Sequence, residues 1–522
     1  MGKKPMYNKI GLIQRGGFMQ IKIDRNSKTP IYIQIRNQIR AMIFDGRLLP
    51  GSLLPPERKL AESLGVNRST VLTAYRELKA DGLVDSHVGR GTIVLSVMAE
   101  VSESRSEFDP PLYTQFFSRI SERANDPFLR DLLVMANRED VVSFAAGMPA
   151  IEKDPVDTLQ GIEEELIKQP NHEALKLTPT EGFWSLREAI SDLMQKRGIC
   201  ASPGEILVLS GSQQGIDIAA RVFIDPGDVV IVEEPSFFSA LQIFNAAGAR
   251  IIGVPVDDQG MRVDVLEQLL QRYRPKLIYT MPTYQNPSGV SMSLERRRRL
   301  LELAYRRKVL IIEDDPYGEI KYEGARMPFL KELDTYGYVI YLSTFSKILF
   351  PGIRIGWMSA PKPIIHQFTM IKQLQDLHAN SISQWIVERF LRSGGFEAHV
   401  KRICEEYRVK RDIMLDALID RPVPGLEWIK PMGGYYLWCK LPEGTPHMSL
   451  LVNAAERGVS YVPGTAFYLG GKGGQYMRLN FTYPTKEDIP VGIERLKETV
   501  AATLKKTPLN TSGEERSIKP IV

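Results

Sequence analysis

At 522 residues the chain exceeds what one ordinary hydrophobic core supports, so two or three domains are expected. Its 43% hydrophobic, 25% charged and 9% aromatic residues are those of a soluble globular protein. No run approaches the ~20 apolar residues of a membrane span. The stretch Ile10–Ile13 behind Lys3 and Lys4 is too short for a signal-peptide core, so a cytoplasmic protein with no membrane partner is expected. The net charge of +5 is uneven: residues 1–96 hold 16 Lys and Arg against 7 Asp and Glu, leaving +9 there and −4 on the rest. A basic head on a mildly acidic body suits a polyanionic partner.

Residues 1–29 read as a polar N-terminal extension. A head follows over 30–96. Ile31, Ile35, Ile39 and Ile43 recur at helical spacing, and Gly46 is a natural C-terminal cap. A second helix is predicted from Pro55-Pro56 through Leu60 to Leu64, with Gly65 as a tight turn. Asn67 suits the N-cap of a third helix running to about Ala80, with Val71, Tyr75 and Leu78 inward. Leu83–Val88 and Thr92–Leu95 read as two strands around Gly89-Arg90-Gly91. Three helices and a glycine-tipped hairpin are the order of a winged helix-turn-helix.

Residues 97–111 are polar, end in Pro-Pro and read as a linker. Over 112–505 short apolar strands alternate with helical patterns: Ile206–Leu209, Val229–Val232, Leu277–Tyr279, Val309–Ile312 and Val339–Leu342. Such runs imply a mostly parallel sheet covered on both faces. A smaller α+β region is expected from about residue 380, with PMGGYYLWCKL as one strand, and 506–522 reads as a disordered tail. Cys200, Cys404 and Cys439 form no Cys/His cluster; they are expected as buried free thiols, and no metal is expected.

In a helix-turn-helix the start of the second motif helix faces base edges in the major groove. Here that start is Asn67-Arg68-Ser69-Thr70. Arg68 can fork onto guanine or phosphate, and Ser69 and Thr70 can donate to phosphate beside free helix N–H groups. Arg58 and Arg76 extend the cationic reach, and Arg90 is placed like a wing tip for the minor groove. LLPGSLLPPERKLAESLGVNRSTVLTAYRELKADGLVDSHVGRGTIV resembles the DNA-binding domain of the GntR family over nearly its whole length.

Four segments of the body make chemical sense together. Ser210-Gly211-Ser212-Gln213-Gln214-Gly215 follows a strand and opens a helix, which suits phosphate. Glu234-Pro235-Ser236-Phe237 can offer an aromatic face to a planar ring. PTYQNPSG contains Asn286, and the strand from Ile311 ends in Asp314-Asp315-Pro316-Tyr317. A carboxylate at that strand end can hold a pyridine nitrogen protonated. Ser343-Thr344-Phe345-Ser346-Lys347 precedes Arg354: the lysine can form a Schiff base, and the hydroxyls and Arg354 can hold phosphate.

In this order the segments resemble the class I/II aminotransferases of fold type I, over about residues 112–505. That resemblance implies an α/β transferase domain built on a seven-stranded type of sheet, with pyridoxal 5′-phosphate (PLP) as cofactor. It also implies Lys347 as the Schiff-base lysine, Asp314 as partner of the pyridine nitrogen, and Asn286 and Tyr317 on the ring 3′ oxygen. Phe237 would stack on the ring, while Ser212, Gln213, Thr344, Ser346 and Arg354 would hold the phosphate. Arg478, in Tyr476-Met477-Arg478-Leu479-Asn480, matches the arginine that clamps a substrate carboxylate. Lys347, Asp314 and Tyr317 would be the catalytic set. Two positions depart from the pattern. Phe237 stands where a tyrosine is usual, and Leu177 where a tyrosine commonly reaches the partner subunit's cofactor.

GntR-type head, linker and class I-type body are the order of the MocR regulators. The resemblance implies a cytoplasmic homodimer that binds a double-stranded DNA operator and senses an amino compound through PLP. Two alternatives remain open: a working aminotransferase of the 2-aminoadipate/aromatic kind with a DNA-binding head, and a sensor of PLP itself. Retention of Arg478 counts against the latter.

Overall fold

The computed structural model describes residues 21–95, 116–124, 141–149 and 161–506, except 26, 28, 45, 46, 49, 88–90, 163, 165–167, 169–172 and 421. Gly46, Arg90, the linker 97–111 and the tail from 507 lie outside the described residues. The chain forms two compact units, Met1–Leu112 and Tyr113–Val522.

In the first unit, helices Ile31–Phe44, Glu57–Leu64 and Arg68–Ala80 surround a core of Ile35, Ile39, Leu60, Val71, Ala74, Tyr75 and Leu78. The i, i+3/i+4 spacing of these residues puts them on the facing sides of their helices. Ile39 is fully buried, so Ile39→Ala would cost about 2–5 kcal/mol. Arg36 ties the first helix to the third through Glu77 at 3.2 Å and Asp81 at 3.0 Å. Tyr75 donates to the Pro55 carbonyl at 2.8 Å and so fixes the third helix against the start of the second.

Asn67 takes the N-cap position with extended backbone, but its side chain makes no capping bond. The hairpin strands are Val84–His87 and Gly91–Val94, and Leu53–Leu54 adds a third strand beside Gly91–Val94. A two-residue strand is too short to leave a periodic signal. Part of the predicted extension belongs to the head: Ile21 and Ile23 pack against its core, and the Lys22 N–H donates to Gln38 Oε1 at 2.9 Å.

The second unit holds an eight-stranded sheet among the described residues. Its order is Ile206–Leu209, Gly356–Ser359, Val339–Thr344, Leu310–Asp314, Leu277–Thr280, Val229–Glu234, Arg250–Asp257 and Gly260–Met261. The five strands from Val339–Thr344 to Arg250–Asp257 run parallel. Gly356–Ser359 is antiparallel to both neighbours. Ile206–Leu209, Leu277–Thr280 and Val339–Thr344 are buried throughout, as a sheet covered on both faces requires.

A smaller antiparallel sheet joins Glu427–Trp428, Tyr436–Lys440, Tyr476–Asn480 and Val462–Pro463. This α+β region is not made from the C-terminal stretch alone. Val142–Ser143 pairs in parallel with Val459–Ser460, and the Asn480 N–H donates to the Phe144 carbonyl at 2.8 Å. The three thiols are free. Cys439 is buried and Cys404 half-buried, but Cys200 is exposed, in the turn after helix Trp184–Lys196.

Candidate cofactor cleft and nucleic-acid interface

In an open parallel sheet, ligands bind beyond the carboxyl ends of the strands. Four of the predicted segments sit at such ends. Asp314 closes Leu310–Asp314, Thr344 closes Val339–Thr344, Ser210 follows Ile206–Leu209, and Pro235 follows Val229–Glu234.

Asp314 is fully buried. Its Oδ2 accepts the Tyr279 hydroxyl at 2.6 Å, while Oδ1 is buried with no hydrogen-bond partner among the described residues. Burial raises the carboxyl to about 7, against the pull of the Tyr279 bond. A buried acceptor left open in this way fits a protonated pyridine nitrogen.

Lys347 follows the Thr344-capped turn Phe345–Lys347, and its ammonium donates to the Gly147 carbonyl. Burial lowers its pKa; Arg478 and Arg354 act in the same direction, while Tyr436 and Asp314 oppose them. A lysine drawn toward its neutral form is a better nucleophile toward an aldehyde.

Arg354 adopts a left-handed backbone with φ 51°. A non-glycine residue there is uncommon, and its own side chain holds it. The guanidinium donates to Ser346 Oγ at 3.2 Å and to the Ser210 carbonyl at 2.9 Å. A Cβ on Gly211 would come 2.5 Å from it, so the glycine at φ +99° is required. Gly211 is the N-cap of helix Ser212–Phe223, and a helix N-terminus suits a phosphate. Arg354 therefore ties Ser346 to the Ser210 carbonyl beside this helix start. Gln213 is exposed. The Thr344 hydroxyl is committed to the backbone: it accepts from the Ser346 N–H at 3.1 Å and donates to the Ile355 carbonyl at 3.2 Å.

Arg478 is 1% exposed. It donates to Asn286 Oδ1 at 3.0 Å and to the Ala145 carbonyl at 3.2 Å, leaving Nε without a partner among the described residues. Its guanidinium carbon lies 4.1 Å from the Tyr436 ring centre and 5.1 Å from that of Phe467. Tyr317 donates to the Tyr436 hydroxyl at 3.1 Å. Phe237 is half-buried beside Phe238, their centroids 5.2 Å apart.

Sequence reading missed Tyr279 and Tyr436. Both lie on strands that had been located, and the signal was there in principle. Tyr279 pairs with Ile312, two residues before Asp314, and Tyr436 opens the strand facing Arg478. Buried Glu233 was also missed. It accepts from Thr280 at 2.6 Å, from the Met281 N–H at 3.1 Å and from Gln285 at 3.3 Å, and so orders the loop that carries Asn286. Leu177 is 79% exposed.

On the head, Arg58, Arg68, Ser69 and Arg76 are exposed and Thr70 is half-buried. Arg68 meets Glu57 at 3.5 Å, and Arg58 meets Glu62 at 3.8 Å. Thr73, which sequence reading passed over, is exposed too. Ser69, Thr73 and Arg76 fall at i, i+4 and i+7, one stripe opposite the buried Val71, Tyr75 and Leu78.

Fold and cleft together define the class: a PLP-dependent transferase body joined to a helix-turn-helix head. The sequence matches the family described as Aminotransferase class I and II over residues 139–496, and that of Bacterial regulatory proteins, gntR family, over residues 31–94. The aromatic-amino-acid aminotransferase 1 of Thermococcus litoralis is 42% identical over 76% of this chain and 96% of its own length. The uncharacterized HTH-type transcriptional regulator YisV of Bacillus subtilis is 30% identical over 91% of this chain and 97% of its own. The probable rhizopine catabolism regulatory protein MocR of Rhizobium meliloti is 30% identical over 75% and 78%. Among solved structures, the α-aminoadipate aminotransferase LysN of Thermus thermophilus, complexed with N-(5′-phosphopyridoxyl)-L-leucine, superposes with a TM-score of 0.71. It is 32% identical over 76% of this chain and all of its own. The chain belongs to the class I and II aminotransferase family, as a regulator of the MocR type that carries a gntR head. Its cofactor is PLP. Among the described residues no helix is long and apolar enough to cross a membrane.

Proposed function

We propose that the body senses a carboxylate-bearing amino compound through PLP attached to Lys347, and that the response reaches an operator bound by the head. The bond between Arg478 and Asn286 at 3.0 Å carries this reading, because it joins the expected carboxylate clamp to a residue of the cofactor set. Bound PLP supplies an electron sink conjugated to the amino group it captures.

The chain's own groups do the rest. Asp314 Oδ1 would accept the ring N–H, while Tyr279 keeps the other oxygen occupied. Arg354, Ser346 and the N-terminus of Ser212–Phe223 would hold the phosphate. Arg478 is freed from Asn286 to fork onto the incoming carboxylate. Lys347, drawn toward its neutral form by burial, would serve both as the attachment point and as a base beside the bound amine. A ligand changes DNA binding only if it favours one state of the protein over another.

A homodimer in the cytoplasm is the proposed assembly. Leu175, Leu177, Leu374 and Leu377 are all exposed, and Ser381 donates to the Lys176 carbonyl at 3.2 Å, which puts the two stretches side by side. Large apolar residues left exposed on neighbouring stretches support a protein contact there. Arg58, Arg68, Ser69, Thr70, Thr73 and Arg76 are the proposed DNA-facing residues.

Titrating the PLP-loaded protein with amino acids and with the same amines lacking a carboxylate tests the reading. A spectral change and a change in operator affinity with carboxylate-bearing amines only is expected. Equal response to both series would remove Arg478 from the sensor. The 42% identity to an aromatic-amino-acid aminotransferase favours a second reading, full turnover, which sustained keto-acid production on adding a 2-oxo acid would establish.

A further inference from the structure

Helix Lys362–Asp376 ends directly against the proposed phosphate turn. All three polar atoms of Ser210 are engaged there. Its N–H donates to Gln214 Oε1 at 2.8 Å, its carbonyl accepts from Arg354 at 2.9 Å, and its hydroxyl donates to Asp376 Oδ2 at 3.0 Å. The same Oδ2 accepts from Gln214 Nε2 at 2.8 Å, and the other oxygen accepts from Lys372 at 2.6 Å. The Lys372 side chain is fully buried, so Asp376 is the counter-charge that makes its burial tolerable. Burial works against the Asp376 carboxylate, but the bonds from Lys372, Gln214 and Ser210 outweigh it and keep the group ionised below its usual range.

The next residue is strained. Leu377 has φ 63° and ψ −54°, and the His378 N–H donates to the Asp376 carbonyl at 2.7 Å. This is the rarer hand of γ-turn, in a residue with a bulky side chain. At this residue and on the helix before it, Met370, Leu374 and Leu377 are exposed, Leu374 to 84%.

We propose that Asp376 is a positioning residue that locks the Ser210-Gly211-Ser212 turn to the end of this helix, so that the cofactor phosphate is registered at the exposed apolar residues Met370, Leu374 and Leu377. Phosphate on the turn pulls on Ser210 and Gln214, and both are bonded to the one carboxylate that terminates the helix. The γ-turn at Leu377 concentrates any shift in a single residue. The inference rests on the reading that the turn and Arg354 hold the phosphate.

The test uses cofactor-free full-length protein titrated with PLP and, in parallel, with pyridoxal, which lacks the phosphate. Asp376→Asn is expected to weaken PLP binding about tenfold, the scale of one lost charge-assisted hydrogen bond, and to leave pyridoxal binding unchanged. In the unsubstituted protein, PLP is expected to slow amide exchange in residues 366–380; in Asp376→Asn that protection is lost while protection around residue 212 remains. Ser210→Ala removes one donor to Asp376 without stranding a charge, and is expected to shift the PLP-to-pyridoxal preference the same way by a smaller factor. An unchanged preference in both variants overturns the proposal. Arg354→Leu separates the two levels. If it leaves the preference for PLP intact, the phosphate site itself is misplaced; if it erases the preference while Asp376→Asn keeps it, only the link to the helix fails.

Discussion

The recognition helix and the cofactor cleft set their polar side chains to opposite tasks. On the head, the Arg68 side chain is 66% exposed and its ion pair with Glu57 is 3.5 Å long; Arg58 is 83% exposed and meets Glu62 at 3.8 Å. Exposed pairs of this kind contribute about 0–1 kcal/mol, so the cations exchange readily for a phosphate or a base edge. In the cleft, Arg478 is 1% exposed and lies against Asn286, Ala145 and two aromatic rings, while Asp314 is held by Tyr279. One region earns its specificity on contact with a polyanion. The other is organised before any ligand arrives, and its unpaired atoms, Asp314 Oδ1 and Arg478 Nε, mark where the ligand goes.

The sharpest way to break this contrast is Lys347→Ala. It is expected to abolish the absorbance of the lysine-bound cofactor completely while leaving the head folded; survival of that absorbance would place the attachment elsewhere. Arg68→Ala is next. If the side chain reads a base, operator affinity falls by roughly 1–3 kcal/mol at that position of the site. Unchanged affinity across operator variants would remove Arg68 from the readout and leave the stripe of Ser69, Thr73 and Arg76 as the interface. Thr73→Ala should cost less, about 0.5–1.5 kcal/mol, the scale of one neutral hydrogen bond. Because Thr73 also donates to the Ser69 carbonyl at 2.9 Å, helix stability has to be measured beside binding.

The smallest effect concerns pH. Burial puts the Asp314 carboxyl at about 7, well above its unfolded value of ~3.9. The neutral form is the one the cofactor-free fold favours, so its contribution to stability is full below the unfolded value and is lost as pH rises through about 7. Glu313, also fully buried and at about 7, follows the same sign. The body without cofactor is therefore expected to melt at lower temperature as pH rises from about 4 toward about 7, and Asp314→Asn to remove part of that slope. Calorimetry at several pH values checks it, and a slope identical in both proteins would deny Asp314 its raised pKa.

Much of this architecture was legible in the chain. Apolar periodicity located the three head helices and short unbroken apolar runs located five strands of the large sheet, because burial on one face writes a period and burial on both writes a continuous run. Motif order pointed to Lys347, Asp314, Asn286, Arg354 and Arg478, since short segments at strand ends keep their chemistry in their own sequence. Tertiary structure decided what no local pattern encodes. Tyr279 faces Asp314 only because two strands pair in one register, and Tyr436 lies under Arg478 only because the small sheet places them together. Val142–Ser143 and Leu53–Leu54 are strands of two residues, too short for any period to mark. Asp376 reaches Ser210 across 166 positions of chain, and a contact of that separation exists only once the sheet and its covering helix have closed around it.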